Sequence, residues 1–131
     1  MSEPGLDILH RIVATRGGFG HREHLELAWT CLDRYDVATA HAAVTAAVRH
    51  IAAHHGMPDR YHETITRSWV HVVALHRALE PADSFDAFMA AHPVLLTKDL
   101  LDRHYSPPVL HSELARAHWA EPDLHAFPAL A

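Results

Sequence analysis

Apolar residues recur every three to four positions through most of this chain, and no stretch of five or more residues alternates apolar and polar in the manner of a strand. That pattern places the apolar side chains on helical stripes, and a stripe is stable only when buried against another stripe. Turn chemistry agrees. The chain contains no Asn and no Gln, only 5 Gly, and none of the "NG" or "DG" pairs that close hairpins. We therefore expect an all-α fold: a compact helical bundle of three longer helices plus two or three shorter C-terminal helices. Short connections favour antiparallel neighbours.

Residues 1–18 read as a lead-in in which "LDILHRIVA" forms a short helix stopped by "RGGFG". The first long helix is expected from about Gly20 to Tyr35. The second runs from Asp36 or Val37 to His55 and ends at Gly56, and the third from about Pro58 to Leu79, ahead of Pro81. Ser84 marks the N-cap of a helix over 85–91. Pro93 opens another over roughly 94–104, and Ser106-Pro107 starts a last one reaching Trp119. Residues 120–131 read as an extended tail. A chain of 131 residues, 49 % hydrophobic and without an internal repeat, fits a single helical domain spanning 1–131 with one core.

Charge narrows the partners. The net charge is −5, with one Lys (Lys98) and ten Arg scattered singly, so no basic stripe neutralises phosphates. This argues against nucleic acid and against a membrane surface. No apolar run is long enough to span a bilayer. The opening "MSEPGLD" is acidic and lacks the basic and apolar regions of a signal peptide. Cys31 stands alone and cannot form an internal disulfide. The expectation is a cytoplasmic protein.

The chain carries 15 His, and helical spacing sorts them. In the first long helix Leu25, Ala28, Leu32 and Tyr35 form the apolar stripe, with Leu27 out of place. His21 and His24 lie one turn before Leu25 and Ala28 and point with the stripe, whereas Glu23 points to solvent. In the third helix the stripe runs Tyr61, Ile65, Trp69, Val72, Val73, His76 and Leu79, with His62 on its edge. The second helix places Val37, His41, Val44, Val48, Ile51 and His55 together. His50, His54 and His71 face out, and nothing in their surroundings assigns a role to His10, His92, His104, His111, His118 or His125.

Two imidazoles on adjacent turns of an apolar face, near a third on another helix, are hard to satisfy with carbonyls and hydroxyls alone. A divalent transition metal solves the problem, and Zn, Cu, Ni and Fe all accept imidazole nitrogen. In an up-down-up order the first and third helices run parallel, so His62 joins His21 and His24 at one end of the bundle. The metal set expected from spacing is His21, His24 and His62. The plain alternative is that these are structural histidines. The pair lacks the acid and the diagnostic third ligand of an "HExxH" motif. His41, His55 and His76 read as core or capping residues.

The stretches "FGHREHLELAW", "YHETITRSWV" and "RHYSPPVLHSELARAHWAEPDL" resemble motifs of an uncharacterised family of short bacterial helical proteins, over roughly residues 19–124. The resemblance implies no activity. It directs attention to His21, His24, Tyr61, His62, Thr64, Trp69, Ser106 and Arg116. A more remote likeness is to the three-histidine bundles of the DinB type, whose histidine spacing differs.

Three neutral histidines leave a metal position open for water or substrate. The leading expectation is a small metal-binding protein, leaning to a metal-dependent enzyme acting on a small molecule. Tyr61, Thr66, Trp69, Tyr105, Ser106 and Arg116 are the pocket candidates. Each has a bland counterpart: Ser106 as an N-cap, Trp69 as core, Arg116 as surface. Two other readings stay open. One is a non-catalytic metal-binding or histidine-switch module. The other is a helical interaction module, with a homodimer as its simplest form.

Overall fold

The computed structural model describes residues 4–130, so residues 1–3 and 131 of the expected domain lie outside the described part. The regular elements among the described residues are all helical. They are α1 (Pro4–Arg16), α2 (His21–Arg34), α3 (Val37–His54), α4 (Glu63–Leu79), α5 (Phe85–Ala91), α6 (Pro107–Leu110) and α7 (Glu113–Ala117). Three 3₁₀ turns, Pro58–Arg60, Pro93–Leu96 and Lys98–Arg103, complete the list. No helix is long and apolar enough to cross a membrane among the described residues.

Local chemistry sets most boundaries. Gly17 takes a φ of 81° and its N–H closes on the Val13 carbonyl at 2.8 Å, ending α1. The Glu23 carboxylate accepts from the Gly20 N–H at 2.9 Å and so steadies the start of α2. Asp36 caps α3 by accepting from the Thr39 N–H at 2.7 Å, and Gly56, with φ 70°, follows its end. Ser84 caps α5 through Ala87 at 3.1 Å.

The lead-in helix is not peripheral. Ile8, Leu9 and Ile12 of α1 are buried, and α1 packs on both α2 and α3. Helix α2 also meets α3, α4 and α5, which makes it the central element. Its buried set therefore includes Leu27, Trp29 and Cys31 beside the expected stripe. A helix with neighbours on several sides has no single wet face, so Leu27 was never out of place.

Three expected helices change. Helix α4 begins at Glu63 rather than near Pro58, because residues 58–60 form a tighter turn and Tyr61 and His62 are extended. Leu79 at its far end is 78 % exposed instead of stripe. The expected helix over 94–104 resolves into two 3₁₀ turns, closed by Thr97 N–H to Val94 and Leu100 N–H to Thr97. The last helix is cut in two at Ser112, whose hydroxyl donates to the Val109 carbonyl at 2.7 Å and accepts from Ala115 at 3.1 Å.

Candidate binding site at the starts of α2 and α4

The parallel starts of α2 and α4 and the end of α3 enclose a cavity of about 460 Å³. Four of the residues expected from sequence line it: His24, Tyr61, His62 and Thr66. His55 and Arg60 join them, from the C-terminal end of α3 and the 3₁₀ turn that follows. The lining holds no carboxylate, and the Arg60 guanidinium makes no ion pair among the described residues.

His24 stands out among these groups. Its Nε2 is buried with no hydrogen-bond partner. Among the described residues the other buried polar side-chain atoms in that condition, Trp29 Nε1 and Ser68 Oγ, belong to side chains that do not line the cavity. Burial, helped by the neighbouring His21, pushes the His24 imidazole down to about 4, so it is neutral at neutral pH. A neutral imidazole carries one N–H donor and one acceptor nitrogen, so the ring can offer either to a ligand.

His62 is committed differently. It sits at the N-cap of α4, where Nδ1 accepts from the Ile65 N–H at 3.1 Å. Its Nε2 lies 2.7 Å from the Leu110 carbonyl, which can only accept. The ring is thus held as the tautomer with hydrogen on Nε2, and burial lowers its affinity for a second proton. Tyr61 is buried and donates to the Glu63 carboxylate, while Arg49 lies 4.1 Å over its ring. Burial first, then that bond, pushes its phenol up to about 12.

The remaining expected residues lie off this cavity. His21 Nε2 donates to the Leu95 carbonyl at 2.8 Å, and its ring meets Trp69 edge-on at 4.6 Å between centroids. Trp69 is core, and Tyr105 is buried with its hydroxyl donating to Ala120 O at 2.7 Å. Ser106 occupies the N-cap position of α6 without a side-chain cap bond, and its N–H binds Asp123 at 2.9 Å. Arg116 pairs with Glu113 and donates to the Asp59 carbonyl at 3.1 Å, tying α7 to the 3₁₀ turn. The expected triad is therefore not gathered around one point. Among the described residues no three or more His, Cys, Asp or Glu side chains are placed to hold a metal ion.

His71, His92 and His104, set aside by spacing, also carry bonds. Their rings meet the carbonyls of Pro128, Glu80 and His125 at 2.9, 3.0 and 2.6 Å. No helical period signals this, because the acceptors lie in irregular backbone. Comparison of the chain with family models, curated proteins and solved structures finds no match.

Proposed function

We propose that the protein is a small-molecule-binding helical module whose ligand occupies the cavity between α2, α3 and α4. The observation that carries this reading is His24, a neutral imidazole among the lining residues of a roomy cavity, whose Nε2 is buried without a partner. Arg60, free of ion pairs among the described residues, and the absence of any lining carboxylate favour a ligand with an anionic group. The test is thermal unfolding of the full chain with short carboxylates and phosphomonoesters. One or more should raise the melting temperature of the parent chain and leave His24→Phe unmoved. Equal shifts in both proteins, or none in the parent, would remove the proposal.

A divalent transition metal is the second reading: His24, His55 and His62 line the same cavity, though the three are not gathered closely enough to hold an ion as they stand. His62 would have to release Leu110 or its N-cap bond to ligate, and a metal with an open position would carry the leaning to an enzyme. Stoichiometric Zn, Cu, Ni or Fe in tag-free protein, lost in His24→Ala, is the expected signature. A cytoplasmic setting belongs to the same proposal, since Cys31 is buried and unpaired.

A further inference from the structure

A larger cavity, about 730 Å³, lies between the C-terminal half of α4, the 3₁₀ segment and the tail. Its apolar wall includes Leu75, Leu79, Val94, Leu100, Phe127 and Leu130. Two of these, Leu79 at 78 % and Val94 at 40 %, stand exposed. The polar groups on the lining are Arg103 and the imidazoles of His76, His104 and His125. No described Asp or Glu lines the cavity, and Arg103 makes no ion pair among the described residues.

The tail wall is tied down. His104 donates through Nδ1 to the His125 carbonyl at 2.6 Å and stacks on Phe127 with centroids 4.1 Å apart. His71 donates to the Pro128 carbonyl at 2.9 Å. The volume falls within the roughly 300–1,000 Å³ typical of small-molecule sites. A long apolar wall with a cationic group, and no carboxylate side chain among the described lining residues, suits an aliphatic chain ending in a negative charge.

We infer that this cavity is a second binding site, for a long-chain amphiphile with a carboxylate head, the chain lying along α4 and the head meeting Arg103. The site is independent of the cavity at the starts of α2 and α4. Because the guest is a single chain, a flat membrane surface is not required, in keeping with the acidic net charge.

Calorimetric titration of the full chain near neutral pH with dodecanoate, dodecanol and acetate tests the assignment. Dodecanoate should bind one molecule per chain, dodecanol about tenfold more weakly or worse, and acetate not at all. Arg103→Gln should weaken dodecanoate by about tenfold and leave dodecanol unchanged. Leu79→Glu, at a position 78 % exposed, should weaken both, and His24→Phe neither. Equal affinity for acid and alcohol, indifference to Arg103→Gln, or a loss on His24→Phe would overturn the inference. So would no dodecanoate binding by a chain that proves dimeric and becomes monomeric in Leu79→Glu, because a second copy would then cover the wall. Vesicles containing anionic lipid complete the set: binding to them without binding to monomeric dodecanoate would also overturn it.

Discussion

One imidazole ring, that of His62, joins two parts of the molecule. It caps α4 through Nδ1 and holds the Leu110 carbonyl through Nε2. His62→Ala removes both bonds and should destabilise the chain by about 2 kcal/mol, near 1 for the cap and 1 for the anchor. His62→Asp restores an acceptor at the N-cap and should recover about half of that in urea unfolding. An Asp variant no better than Ala would show that the cap contributes nothing. His24 makes a pH argument. Its folded pKa is about 4 against 6.5 for a free imidazole, so the folded chain binds fewer protons. The associated stability is complete above the unfolded value and is lost as pH falls from 6.5 toward 4, about 3 kcal/mol in all. His24→Phe should flatten that loss in unfolding curves recorded across the interval. An unchanged slope would place the acid sensitivity elsewhere.

Helix α1 meets α3 where Gly5 lies against the Ala43 carbonyl, in closer contact than any Cβ tolerates. Inside a helix, Gly→Ala normally stabilises by up to about 1 kcal/mol. Here Gly5→Ala must push backbone apart, so melting should fall instead, by about 1–3 kcal/mol of stability. A rise would mean that α1 is held less closely than this crossing requires. Neither Gly5 nor its partner is visible as a contact in the sequence, because spacing reports a helix's own faces and not what approaches them. The same limit explains the other differences. Periodicity, Asp36, Ser84 and Gly56 were enough to place α2, α3, α5 and the class of fold. Burial all round α2 follows from its number of neighbours. His62 lies one residue outside α4, where a 100° rule says nothing about direction, yet the shared end of α2 and α4 still brings it to His24's cavity. His55 reaches the same cavity with Val48 and Ile51, the residues its helical spacing groups it with, whereas Arg60 comes from a turn, which carries no period.

At the scale of the molecule, imidazoles fasten the irregular second half to the bundle. His21 holds Leu95, His62 holds Leu110 and His71 holds Pro128, at 2.8, 2.7 and 2.9 Å. Acid does not act on these equally. A protonated imidazole still donates, so His21 and His71 keep their carbonyls. His62 needs a bare Nδ1 for Ile65. His92 donates to Glu80 O through Nε2, so in the neutral pair its Nδ1 is bare and accepts from His76 Nδ1–H at 3.0 Å; a further proton on His76 keeps that bond but puts a charge in a partly buried setting beside His92. Burial holds His62 and His76 below the ordinary imidazole value. Each is less protonated folded than unfolded, so its contribution is complete above 6.5 and fades below it. The prediction is an order of release. On lowering pH from about 7 to about 5, hydrogen exchange corrected for its intrinsic rate should rise first at Ile65, over 107–117 and around 80–92. Residues 93–96, held through His21, and helices α1 and α3 should stay protected longer. Exchange that opens α1 and α3 first, or the whole chain in one step, would show that the second half is held by its buried side chains alone.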